Sequence, residues 1–261
     1  MTETFSAHWL ALREDRYGAA RSQTLALAFL ENQPRQARIV DLGAGAGANA
    51  RYLNRLAVAR DRKIAWRLVD RDRALLDGVA GLPGAVREEL DFAADPAVLD
   101  LAGTSGIGAS ALFDLVSRDW FTRFVAAAAG RPLLLALTAR DGHRWYPGDA
   151  SDRAVMDWFA CDMRRDKGFG LAMGLAAPPT MVECLAEAGY RVRQAASDWR
   201  LDRGQPAMLN AMIETIAAAA AARGEPERVA PWRDRRRQCA TEGGLRLVVP
   251  HRDILALPGV A

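Results

Sequence analysis

The stretch Asp41-Leu-Gly-Ala-Gly-Ala-Gly-Ala-Asn49 follows a short apolar run, Arg38-Ile-Val-Asp-Leu42, and precedes a helical pattern over residues 48–59. Strand, glycine-rich turn and helix in that order open a βαβ unit. Glycines in such a turn let the backbone approach a ligand closely and adopt left-handed conformations. Outward from this turn, Ile64-Ala-Trp-Arg-Leu-Val-Asp70 reads as the second strand and 72–79 as the second helix, with Asp72 as N-cap. A third strand fits 86–91. Pro132-Leu-Leu-Leu-Ala-Leu-Thr138 is the unbroken apolar run of a strand buried on both faces. Tyr190 to Ser197 alternates like a later strand, and Gly244-Leu-Arg-Leu-Val-Val-Pro250 reads as the last one. The fourth strand is ambiguous: Phe113 to Ser117 could form it, yet Leu112, Leu115, Val116, Trp120 and Phe124 recur at helical spacing.

Strands separated by helices predict an α/β fold, doubly wound on a mostly parallel sheet. A helix is expected from His8 to Glu31, ended by Gln33-Pro34. Between Asp198 and Gly243 the pattern is helical, over about 206–223 and 227–240, with Gly224-Glu-Pro226 as the break. This segment reads as an inserted helical cap. The expected organisation is one domain over 1–261: an N-terminal helical segment 1–34, a cofactor-binding half 35–140, a substrate-side insertion 141–180 and the cap 198–243.

Composition narrows the class. Half of the 261 residues are apolar and the formal net charge is only +3. The basic residues are nearly all Arg, with Lys only at Lys63 and Lys167, which reads as codon bias. The basic clusters at 164–167 and 233–237 carry interleaved acids, so they fit solvated helix faces, and no nucleic-acid partner is expected. Cys161, Cys184 and Cys239 lie far apart and form no CxxC, so no metal site is expected and a reducing cytoplasm fits. Residues 1–8 show no signal-peptide pattern, and 213–222 is too short and too weakly apolar to span a bilayer, so no membrane partner is expected. The oligomeric state is left open.

Two ligands suit the turn. Gly43-x-Gly45-x-x-Ala48 followed by Asp70 matches a dinucleotide fingerprint, which would make the chain an NAD(P)-dependent oxidoreductase. S-adenosylmethionine (SAM) is the alternative, and Asp41 favours it. SAM carries an ammonium and a sulfonium, whereas a pyrophosphate is repelled by a carboxylate beside its cradle. Under either reading Asp70 accepts from ribose hydroxyls, and Arg71 could pack over the adenine edge. Asp91 could accept from the adenine amino group, with Phe92 covering the ring.

Val40-Asp-Leu-Gly-Ala-Gly-Ala-Gly47, Leu68-Val-Asp70, Glu89-Leu-Asp-Phe92 and Ala109 to Ser117 together resemble the class I, seven-strand SAM-dependent methyltransferases. The resemblance implies strand order 3-2-1-4-5-7-6 with the last strand antiparallel, SAM as cofactor and S-adenosylhomocysteine as product. It implies cofactor contacts from Asp41, Gly43, Ala44, Gly45 and Gly47. It puts the fourth strand near 105–110 and a helix over 111–129, so that Ala109 and Ser110 border the cofactor. Residues 2–32 would close over it, with Arg21 meeting the methionine carboxylate. Asp166 to Gly170, Ser197 to Leu201 and His251 to Pro258 resemble pieces of a bacterial subgroup of unclear substrate.

The acceptor is sought after the fifth strand, since ligands bind at the C-terminal strand ends of open α/β sheets. In Asp141-Gly-His143-Arg-Trp145-Tyr146-Pro147, His143 is the candidate base, and Trp145 and Tyr146 could wall an apolar substrate. The motifs of amino-directed DNA methylation and of cysteine attack on pyrimidines are missing, which points to a small-molecule acceptor. A protein that binds SAM without transferring its methyl group, serving as a partner subunit, is the remaining alternative.

Overall fold

The computed structural model describes Leu12, residues 18–140 and residues 142–259. The predicted N-terminal helix is broken at Arg21-Ser22. Residues 18–20 are helical, and Ser22 then caps α1 (Gln23–Glu31) by accepting from the Leu25 amide at 3.3 Å. Residues 8–11 and 13–17 of that expectation lie outside the described residues.

The alternation of strands and helices follows the sequence pattern: β1 (Gln36–Leu42), α2 (Ala48–Val58), β2 (Lys63–Asp70), α3 (Arg73–Asp77), β3 (Val86–Glu89), β4 (Gly106–Ser110), α4 (Arg118–Ala127) and β5 (Leu133–Ala139). Asp72 caps α3 through the Leu75 amide at 3.1 Å. After β5 come β6 (Arg144–Tyr146), α5 (Asp152–Met163), α6 (Ala177–Glu187), β7 (Tyr190–Ala196), β8 (Trp199–Leu201), α7 (Pro206–Ala221), α8 (Pro226–Thr241), β9 (Arg246–Val249) and β10 (His251–Pro258). The main sheet has seven strands in the order β3-β2-β1-β4-β5-β10-β7. Its neighbours are parallel except β10, which runs antiparallel to both β5 and β7. Counted within this sheet, the order is 3-2-1-4-5-7-6 with the last strand reversed, as expected.

Two expectations are corrected. The last strand of the main sheet is β10, not 244–250. Leu245, Leu247 and Val249 face a separate apolar core, and β9 pairs with β6 and β8 in a three-stranded sheet. Pro250 has no amide hydrogen to donate, so the extended run breaks there and passes from one sheet to the other. Helix α4 starts at Arg118, not at 111, because Ser117 caps it through the Trp120 amide at 3.1 Å. The preceding carbonyls of Asp114 and Val116 accept from Gly174 and Met173 at 3.0 and 2.8 Å, so they are not available to a helical ladder.

Strand β4 explains its own odd composition. A Cβ at Gly106 would lie 2.6 Å from Gln33 Nε2, and one at Gly108 would lie 3.1 Å from Asn49 Nδ2. The strand is glycine-rich because polar side chains cross this face of the sheet, leaving room only for hydrogen. On the opposite face, Phe113, Trp120, Phe121 and Phe124 fill the apolar layer under α4. A third apolar core joins Trp145, Trp199, Met212, Trp232 and Leu247 within the region of α5, α7, α8 and the small sheet.

Candidate cofactor-binding site

The glycine-rich turn has the predicted backbone. Gly43, Gly45 and Gly47 have φ of 61°, 50° and 81°, the left-handed region that side-chain-bearing residues avoid. At Gly47 space is also short, since a Cβ there would meet Val79 at 2.8 Å. Ala44 is buried and its amide donates to the Val69 carbonyl at 3.1 Å, tying the turn to β2.

Asp70 ends β2 beside this turn. Its Oδ2 accepts from the Gly45 amide at 2.8 Å and its Oδ1 from the Asp72 amide at 2.9 Å. Each carboxylate oxygen retains a further acceptor position. Arg71, next along, is half-buried.

Asp41 lies under the turn, not on its rim: it is fully buried, and its Oδ1 accepts from Asn49 Nδ2 at 2.6 Å. Asn49 Oδ1 accepts in turn from Arg21 Nη1 at 2.7 Å. Arg21 Nε donates to Asp253 Oδ2 at 3.1 Å, and its guanidinium lies 4.8 Å from the Tyr52 ring centre. A buried polar chain thus runs Asp41–Asn49–Arg21–Asp253. Two of its atoms, Asp41 Oδ2 and Arg21 Nη2, are buried with no hydrogen-bond partner among the described residues. Burial pushes the Asp41 carboxyl up to about 7, against the Asn49 hydrogen bond, the Arg21 charge and the Ala50 amide, which favour ionisation.

Ala109 and Ser110 end β4, and the Ser110 hydroxyl is buried without a partner among the described residues, as is that of Thr138 near the end of β5. Asp91 is exposed and accepts from the Ala93 amide at 2.9 Å. Phe92 is buried in the core, its ring 6.1 Å from those of both Trp120 and Phe169. Of the acceptor-side candidates, Trp145 is buried edge-on against Trp232 at 5.4 Å, inside the third core. Tyr146 is exposed, with the Arg246 guanidinium 5.8 Å from its ring centre. His143 packs edge-on against Phe159 at 5.1 Å, and desolvation lowers its imidazole to about 4. Asp141 lies outside the described residues.

The structure therefore brings Asp41, Asp70, Arg21 and the three glycines into one region, and sets His143 and Trp145 in another. Sequence reasoning passed over Asp253 and gave Asn49 no role. The available signal for Asp253 was a carboxylate directly ahead of the apolar run Ile254-Leu-Ala256; for Asn49 it was the pair of glycines in β4.

No family model and no curated protein matches the sequence. Solved structures do match in fold. A protein from Anaeromyxobacter dehalogenans, provisionally named a type II methyltransferase, superposes with a TM-score of 0.50 at 17% identity, over 91% of this chain and 97% of its own. A cyclopropane synthase from Mycobacterium tuberculosis gives 0.46 at 16% identity, over 89% of this chain and 81% of its own. A protein from Galdieria sulphuraria, provisionally named a sarcosine dimethylglycine methyltransferase, gives 0.46 at 16% identity, over 95% and 86%. With its strand order and reversed strand β10, the chain has the class I SAM-dependent methyltransferase fold.

Proposed function

We propose that this protein binds SAM and transfers its methyl group to a small-molecule acceptor. One observation carries the reading: the buried chain Asp41–Asn49–Arg21 holds a carboxylate oxygen and a guanidinium nitrogen that are unmatched among the described residues, under a glycine turn. An amino-acid zwitterion supplies the complement of both, an ammonium for Asp41 and a carboxylate for Arg21. Asp70 is then the acceptor for ribose hydroxyls, with Asp91 and Arg71 toward the adenine and Ala109 and Ser110 along the methionine. The position of Phe92 in the core fits a support beneath the base better than a cover over it.

Two observations favour SAM over a dinucleotide. The Gly45 amide, which a pyrophosphate would need, is donated to Asp70. The seventh strand, β10, is antiparallel and inserted between β5 and β7, whereas the dinucleotide fold runs 3-2-1-4-5-6.

When bound, SAM supplies an electrophilic methyl group on a good leaving group. The chain's part is then positioning and exclusion of water. His143 stays a neutral imidazole at physiological pH, but a base with so low a pKa accepts protons weakly. It suits an acceptor that needs little deprotonation. Tyr146 is the aromatic left for acceptor contact, and Trp145 serves the packing behind it.

We read 1–261 as one methyltransferase domain, with 141–180 and 198–243 as the substrate-side cover, and we place it in a bacterial cytoplasm. Cys161, Cys184 and Cys239 are free thiols, which suits that compartment. No described helix is long and apolar enough to cross a membrane. Calorimetric titration with SAM, S-adenosylhomocysteine and NADH tests the cofactor, and radiolabelled methyl transfer into a cell-extract metabolite fraction tests the reaction. Binding of NADH with none of SAM discards the reading. SAM binding with no transfer across a broad panel favours the partner-subunit alternative.

A further inference from the structure

We propose that Asp253 is a positioning residue for cofactor recognition: it fixes the Arg21 guanidinium so that Nη2, buried without a partner among the described residues, meets the carboxylate of the ligand's amino-acid end. The inference rests on the SAM reading above.

Asp253 is fully buried within β10, followed by Ile254, Leu255 and Ala256, all also fully buried. A charge in such a strand is retained only if it is paired and hydrogen-bonded. Its donors come from two separate parts of the chain. Oδ2 accepts from Arg21 Nε at 3.1 Å and from the Ser22 amide at 2.9 Å, and Oδ1 accepts from the Leu137 amide at 2.9 Å. Ser22 is the cap of α1, so one carboxylate sets both the side chain of Arg21 and the point where the helix begins.

Two backbone irregularities converge on this carboxylate. The pairing of β10 with β5 shifts register between Arg252 and Ile254, so Asp253 sits at a bulge. Leu137, which donates to it, has φ of 49°, in the left-handed region a leucine avoids. Bulges re-aim side chains, and strained backbone persists where the surroundings over-determine it, commonly at functional sites.

The result is a guanidinium held on three sides: Asp253 on Nε, Asn49 on Nη1, and the Tyr52 ring against its plane. It has little freedom to turn, so the direction of Nη2 is set before any ligand arrives. Through Asn49 the same guanidinium is one residue from Asp41. The two ends of a zwitterion would then be read by one pre-assembled relay, at small ordering cost on binding.

The test is a pair of ligands differing only in the carboxylate: S-adenosylhomocysteine and its decarboxylated counterpart, S-adenosyl-3-thiopropylamine, titrated calorimetrically into wild type, Asp253→Asn and Asp253→Glu. Wild type is expected to prefer the carboxylated ligand by ~30-fold or more, and Asp253→Asn to cut that preference about tenfold with little change for the decarboxylated ligand. Asp253→Glu keeps the ion pair but displaces it by a methylene, and is the arm to read if the asparagine variant does not fold; it too should lose preference. In an Arg21→Met background, Asp253→Asn should change the preference no further. A wild-type-like preference in a folded Asp253 variant, or a wild type that binds both ligands equally, overturns the inference while leaving SAM binding intact. Wild type that binds neither ligand overturns the SAM reading and this inference together.

Discussion

The region of the glycine turn and the region of α5, α7 and α8 both bury charge, but they do so differently. In the region of α5, α7 and α8 most charges close on one another, although Arg236 Nε is itself buried without a partner among the described residues. Asp152 takes both Arg236 and the Trp232 indole, Asp162 takes Arg165 and Arg223, and Asp149 takes Arg235. Around the turn, the chain Asp41–Asn49–Arg21–Asp253 ends in atoms that nothing described satisfies. Closed pairs stabilise a fold. Open ends in a pre-ordered chain cost stability and are retained where a ligand completes them. What sets the turn apart is that an acid and a base are both left open in one connected chain, the complement of a zwitterion.

The largest expected effect separates these roles. Trp232 is fully buried, donates to Asp152 at 2.8 Å and packs against Trp145. Trp232→Ala should cost about 3–5 kcal/mol in denaturant unfolding while leaving S-adenosylhomocysteine affinity of the folded protein within about threefold. A parallel fall in affinity would show that the two regions are not energetically separate.

A pH series sharpens the contrast, because between pH 4 and 7 each region holds one strongly shifted group; Asp149, held down to about 2 by its hydrogen bond from Arg235, titrates below that window. Asp41 is raised from 3.8 to about 7, with Arg21 and Asp70 as its charged neighbours. Folding therefore loses stability as pH rises between those values, by up to about 4 kcal/mol. His143 is lowered from 6.5 to about 4, so stability is lost as pH falls through that interval, by up to about 3 kcal/mol. In wild type the two trends largely cancel. Asp41→Asn should leave a stability that rises from pH 4 to 7, and His143→Gln one that falls, both read by chemical denaturation. Matching slopes in the two variants would refute the assignment.

Asp70→Ala should weaken SAM binding by about 1–3 kcal/mol through lost charge-assisted hydrogen bonds, seen by calorimetry. An unchanged affinity would put the ribose elsewhere. The smallest effect is expected at the acceptor side: His143→Gln should lower kcat about tenfold or less, since an imidazole pulled down to about 4 is a poor base. A loss of a thousandfold would make it the principal catalyst.

What the sequence disclosed depended on how local the cause was. The turn, with its carboxylate and three glycines, was legible because left-handed backbone and strand-end acids leave marks within a few residues. The cap helices were legible from periodicity and the Gly224-Glu-Pro226 break. Residues 244–258 were misdivided because the alternation of β9 and the apolar run of β10 look alike in sequence, and only tertiary packing sends them to different sheets. Trp145 read as a possible pocket wall because burial against Trp232, 87 positions later, leaves no local trace. Asp253 was passed over for the same reason: its partner Arg21 is 232 residues away.

The most direct test of the account is titration of S-adenosylhomocysteine at pH 6 in two buffers of different ionisation enthalpy. Before binding, Asp41 is mostly protonated at that pH; a ligand ammonium beside it favours the carboxylate, so binding should release close to one proton per site, and Asp41→Asn should abolish the release. Binding without proton release, or heat from NADH and none from S-adenosylhomocysteine, would contradict the zwitterion site on which the functional reading stands.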